Sequence, residues 1–186
     1  MIEVLSNIFT SFGLSASAGL NAYLPLLIVA LVARFTDLIR LSTPFDALTH
    51  SWVIAVLAAL TLMEVLVDKI PAVDTINDII QTVARTAAGA ILFAASSNAI
   101  ADIHPVLAMI CGILVAGTVH AAKATARPLV TATTAGTANP MVSTAEDVTA
   151  GVVSVLSILM PIAAFLLVVI GIWLILRALR QRRARV

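Results

Sequence analysis

The sequence predicts an all-α integral membrane protein, a polytopic helical bundle of about six membrane segments, some broken or re-entrant. Three observations predict it. Of 186 residues, 61% are hydrophobic and 11% charged, with a mean hydropathy of +1.09; a soluble domain of this size could not cover so much apolar surface with polar groups. The apolar residues come in long runs and lack the alternation of barrel strands. Several ionisable residues fall inside or at the ends of those runs, where charge is costly and is usually retained for a role. A net charge of +1 leaves no basic field for nucleic acid, so the expected partners are the lipid bilayer, a small ion or solute, and in one arrangement a second copy of the chain.

A bilayer core needs about 20 apolar residues per helix. The first candidate segment lies within Val4 to Ala33. Its start, Met1-Ile2-Glu3, lacks the basic residues of a secretory signal, so it reads as a retained segment. It is too long for one span and is interrupted by Ser15-Ala16-Ser17-Ala18-Gly19-Leu20-Asn21, with Pro25 beyond, which predicts a break near Gly19 to Asn21. The second segment runs from Trp52 to about Val67, the third from about Thr86 to Ala101 and the fourth from Pro105 to Ala122. The fifth, Pro128 to Met141, is short and rich in Thr, with Gly136, Asn139 and Pro140. It reads as a broken or re-entrant element lining an interior space, because non-helical backbone at membrane depth survives only inside protein or against water. The sixth, about Val148 to Leu176, is long and contains Pro161. Residues 1–176 thus form one membrane domain and residues 177–186 a basic cytoplasmic tail.

If all six segments cross and the tail is cytoplasmic, Lys69, Arg85, Lys123, Arg127, Arg177, Arg180, Arg182, Arg183 and Arg185 lie inside, and only Arg34 and Arg40 outside. That excess predicts a multi-pass protein of the bacterial inner membrane with both ends in the cytoplasm. A fainter pattern is the likeness of Ser17-Ala18-Gly19-Leu20-Asn21 to Thr134-Ala135-Gly136-Thr137-Ala138-Asn139. Repeat-built transporters put broken helices at matching places; in a chain this rich in small residues, chance explains the likeness equally well.

The candidate site residues are Glu64, Asp68, Lys69, Asp74, His120, Lys123, Arg127, Asn139, Glu146 and Asp147. Glu64 and Asp68 are four apart and share a helix face. Asp74, Asp78 and Arg85 continue an amphipathic stripe beyond Pro71, and a solvated helix end with surface ion pairs is the alternative there. His120, Lys123 and Arg127 lie at i, i+3 and i+7, one face suited to an anion or to the carboxylates just named, or to snorkelling at the headgroups. Ser143 and Glu146 have the spacing of a capping box at a helix start. The single cysteine, Cys111, reads as a packing residue, and neither zinc spacing nor a phosphate-binding glycine loop or nucleophile elbow is present. The residues therefore name no cofactor and no metal.

Four stretches taken in order, Ala18-Gly19-Leu20-Asn21-Ala22-Tyr23-Leu24-Pro25, Asp68-Lys69-Ile70-Pro71-Ala72-Val73-Asp74, His120-Ala121-Ala122-Lys123 and Asn139-Pro140-Met141-Val142-Ser143-Thr144-Ala145-Glu146-Asp147, resemble a bacterial membrane-protein family catalogued as domain of unknown function 4126. The likeness spans about residues 8 to 165. It departs at Arg85-Thr86, where the family's pattern has Arg-Pro. The resemblance implies one fold and a shared polar site and adds no substrate. The favoured function is a transporter or channel for a small ion or solute, with charge held at membrane depth. The alternatives are a flippase or enzyme for lipid phosphates, gripped by His120, Lys123 and Arg127, and a non-catalytic scaffold whose charges fix helix register. Enzyme chemistry is the weaker expectation, since no base stands beside a nucleophile: His50 and His104 fall in loops on the opposite side. The expected site has Glu64 and Asp68 meeting Lys123 and Arg127.

Overall fold

The computed structural model describes residues 2–41, 43–68, 74–97 and 103–183, with side chains for all of these except 2, 3, 74–79, 175, 176 and 178–183. Among the described residues the chain forms seven α-helices, one 3-10 turn and no strand: α1 Ile2–Leu20, α2 Tyr23–Phe35, the turn Phe45–Thr49, α3 Ser51–Val67, α4 Asp74–Ser97, α5 Pro105–Thr134, α6 Asn139–Leu159 and α7 Pro161–Arg183. Two of them, α5 and α6, are long and apolar enough to cross a membrane.

The long first segment is broken where its small and polar residues predict. α1 stops at Leu20 and α2 starts at Tyr23, and the Oδ1 of Asn21 accepts a hydrogen bond from Leu24 N at 2.9 Å, satisfying one orphan donor of the new helix. Pro25 costs nothing there, because the first turn has no intrahelical use for its N–H. The last segment is divided in the same way: Met160, at φ −140° and ψ 68°, leaves the helical conformation, and Pro161 opens α7.

The fifth segment is not a membrane element of its own, which corrects the expectation of a re-entrant piece. α5 continues through Pro128 to Thr134, and α6 begins at Asn139. Between them Ala135 and Gly136 take left-handed φ values of 50° and 80°, and Gly136 N donates to Thr131 O at 3.1 Å, closing the helix end. Thr131 and Thr133 are exposed, and the hydroxyls of Thr131, Thr133 and Thr134 donate to the carbonyls of Arg127, Leu129 and Val130 one turn back.

Neighbour relations fix the chain direction. α1 is central. Its Phe12 stacks edge-on against Phe93, and Ser15 bonds Gly89 O, so α4 runs antiparallel to it. Along α6, Thr10 bonds Ser157 O, Ser17 bonds Ala150 O and Asn21 bonds Asp147, again antiparallel. α2 doubles back: Leu26, Val29 and Ala30 pack with Leu14 and Leu92, and Asp37 to Arg40 close a cleft with Ser6, Asn7 and Thr10. α7 returns the other way, with Phe165 on Phe9 and Phe12 and Ile172 beside Thr118. α4 and α5 approach most closely, for a Cβ on Gly112 would run into the Gly89 carbonyl. Seven alternating helices place the start of α1 at the cleft end and Arg177 at the other. The expectation that both chain ends lie on one side is therefore corrected: the first segment is a hairpin, the fifth is no crossing, and the sixth is two helices.

Polar residues share the interior with the apolar cluster, and much of the surface is apolar. Ser11, Ser15, Asn21, Arg85, Ser143 and Ser154 are completely buried, while Trp52, Leu62, Met63, Leu114, Ile162 and Trp173 are exposed. Many exposed large hydrophobic side chains together with fully buried charge are uncommon in a water-soluble domain.

Candidate functional site

The break between α1 and α2 leaves two helix ends facing into the bundle, and each meets the charge its dipole prefers. The amides of Ala22 and Tyr23, at the positive start of α2, donate to the carboxylate of Glu64 at 3.0 and 3.4 Å. The carbonyl of Leu20, at the negative end of α1, accepts from Lys123 Nζ at 3.0 Å. α3 delivers Glu64 one turn before its C-terminal end, and Asp68 follows at that end, on the same face.

Arg85 ties the carboxylates together. It is fully buried on α4; its Nη2 lies 3.2 Å from Glu64 Oε1 and 3.4 Å from Asp68 Oδ2, and it also donates to Gln81 Oε1. Its Nη1 donates to His120 Nδ1 at 3.1 Å, so that nitrogen carries no proton, and His120 Nε2 donates to Thr82 Oγ1 at 2.9 Å. The imidazole is therefore neutral and orients the guanidinium. Asp68 takes Gln81 Nε2 on Oδ1 at 2.8 Å and faces both Lys123 Nζ and Arg127 Nη2 at 3.5 Å through Oδ2. Glu146 Oε2 closes the network at 2.9 Å from Lys123 and 3.0 Å from Arg127. Among the described side chains three cations thus meet three carboxylates, and the paired charges compensate in a buried setting where an isolated ion would cost several kcal/mol, on the order of 3.

Not all of the candidate residues meet as the sequence suggests. Asp68, Lys123, Arg127 and Glu146 share one cluster. Glu64 meets Arg85 instead of the α5 cations, and His120 faces Arg85 instead of extending an anion-binding stripe. Asn139 is elsewhere: its Oδ1 accepts from Thr131 Oγ1 at 3.1 Å across the exposed α5–α6 turn. The capping box does not form, because α6 begins four residues earlier and buries Ser143 inside the helix. Lys69 lies outside the described residues, as does the side chain of Asp74. Asp147 accepts from Asn21 Nδ2 at 2.9 Å and stands beside the cluster without an ion pair among the described residues.

Arg85, Gln81, Thr82 and Asn21 are absent from the sequence-derived set. Arg85 heads the apolar third segment, and Gln81 sits one helical turn before it, a polar pair whose face was legible. Nothing in the sequence announces which carboxylates it meets. Among the described residues no three His, Cys, Asp or Glu side chains gather as a metal site.

Comparison with curated proteins and with solved structures gives no match. The motifs that build the break and the cluster do belong to a recognised set, for the family described as Domain of unknown function (DUF4126) matches residues 8–181. Since the match takes in α2 to α6 entire, with the break, the charged cluster and most of α1 and α7, the chain belongs to that family.

Proposed function

We propose that the protein is a polytopic inner-membrane transporter or channel for a small ion or solute, with its polar site at the α1–α2 break. The observation that carries this reading is the site's construction. A broken helix turns both of its inner ends, Leu20 and Ala22, toward buried charges supplied by α3 and α5. Discontinuous helices with charged partners at their ends are the usual way a membrane protein builds an ion or solute site. The apolar exterior and buried polar interior support embedding in lipid, with α5 and α6 as the clearest spans. Arg34 ends α2 and Arg40 lines the cleft, whereas Lys123, Arg127 and Arg177 lie toward the charged end. The positive-inside rule then turns the charged end to the cytoplasm and the cleft outward.

The test is flux in proteoliposomes, read separately for protons with a trapped pH dye and for radiolabelled sodium, rubidium and phosphate. The wild-type protein moves one of these, and Glu64→Gln abolishes the movement while the protein inserts normally. If none of the four moves, the carrier reading fails. If Glu64→Gln and Lys123→Ala both prevent accumulation of folded protein, the cluster holds the bundle together and the scaffold reading replaces this one.

A further inference from the structure

We propose that Asp147 is a proton-binding carboxyl, reached along a hydroxyl-bearing seam between α1 and α6; this rests on the reading above and names the proton as the ion. The seam starts at the cleft of about 520 Å³ lined by Asn7, Thr10, Asp37, Arg40 and Ser96. From Thr10, which donates to the Ser157 backbone carbonyl, it runs along α6 to Ser154 and Ser17, whose hydroxyl oxygens are 2.6 Å apart, and ends at Asn21 and Asp147. On α6, residues 143, 147, 150, 154 and 157 follow one another at spacings of three and four and so occupy one face.

Small hydroxylic residues alone would be explained by close helix packing. Two further atoms are not. The Oδ2 of Asp147 and the Oγ of Ser143 are inaccessible and have no hydrogen-bond partner, and Ser143 is fully buried one turn from Asp147 on the same face. An unpaired buried polar atom carries the full cost of its desolvation, about 1–3 kcal/mol, and asks for a ligand. The charge balance identifies it. Among the described side chains Arg85, Lys123 and Arg127 are matched by Glu64, Asp68 and Glu146, so an ionised Asp147 would set a fourth negative charge beside three positive ones. The charged groups acting on it are Glu146 on its own helix, Asp68 at the end of α3 and Lys123 on α5, with Asn21 as its direct partner from the break. A proton on Oδ2 removes the surplus charge, and Oδ1 keeps the Asn21 hydrogen bond. Transport then consists of that proton arriving from the seam and leaving toward the charged end.

Difference infrared spectroscopy of the purified protein between alkaline and acidic buffer reads the carboxyl directly. The expected result is a protonated-carboxyl C=O band that Asp147→Asn removes and Glu146→Gln leaves. A difference spectrum unchanged by Asp147→Asn overturns the assignment. Should that variant fail to fold, Asn21→Ala serves: losing the donor to Oδ1 shifts the band to higher frequency, and an unmoved band overturns the proposal. A band that vanishes on adding sodium chloride at constant pH identifies a metal-cation site instead and also overturns it. Proton flux in liposomes separates the two readings. The band with no flux leaves Asp147 as a proton site and removes the carrier function, whereas flux without the band removes Asp147.

Discussion

Two reversals of the chain begin with nearly the same residues and end as different objects. Ser17 to Asn21 and Thr134 to Asn139 each stop a helix with small residues, a glycine and an asparagine, and each is followed by a new helix. At the first, the asparagine bonds Asp147 on another helix, and the free amides are met by Glu64 from a third. At the second, the asparagine bonds Thr131 across the turn, and Ala138 N is met by Thr134 Oγ1. The first is buried and the second is half-buried to exposed. The motif therefore marks a reversal. What makes one reversal a candidate site is that its polar groups are satisfied from a distance, so that α3, α5 and α6 must all be in place before it is complete.

The comparison breaks most readily at Arg85. Arg85→Met keeps the volume but takes from Glu64 the cation it meets, while Asp68 keeps Lys123 and Arg127; the expected cost is about 3–5 kcal/mol, read as a lower unfolding midpoint in detergent. No loss would show that the buried reversal is as self-sufficient as the exposed one. Gly19→Ala comes next, at about 1–3 kcal/mol in the same assay, because its Cβ would stand 2.7 Å from Val119 Cβ and 2.5 Å from the Ala116 carbonyl. The matching substitution in the exposed turn, Gly136→Ala, meets open space and costs only the left-handed backbone, about 1–2 kcal/mol. A larger effect there than at Gly19 would contradict the packing described. The smallest effect belongs to Asn139→Ala, about 0.5 kcal/mol or less with unchanged ion flux, since only the exposed bond to Thr131 is lost.

Much of this was legible from residue order. Periodicity and length predict helices throughout, and the Gly19–Asn21 interruption and Pro161 mark the two places where long apolar runs divide. Carboxylates four apart on α3 and cations on one face of α5 identify two sides of the cluster. The fifth segment was misread because Thr suits two environments: its hydroxyl can face water, or it can bond a carbonyl one turn back within an ordinary helix, and composition does not separate the two. The partner of Glu64 was hidden for a different reason. Arg85 lies 21 residues along the chain, and only the antiparallel return of α4 against α1 brings it level with the break. The grouping of the basic residues has a counterpart in the fold: the α1–α2 hairpin leaves Arg34 and Arg40 toward the cleft end, away from Lys123 and Arg127.

The approach of Gly89 to Gly112 has a mechanical consequence. With the carbonyl of one glycine in the space a Cβ of the other would fill, α4 and α5 cannot slide along each other without colliding, and they act as one stiff strut. Arg85 and His120 lie one turn and two turns along from that point. The pairs α1–α2 and α6–α7 are joined instead through short interruptions, Asn21 and Ala22 in one and Met160 in the other. For the transport proposed above, a cross-link between α4 and α5 is expected to leave flux unchanged, while one that bridges α1 to α2 is expected to stop it.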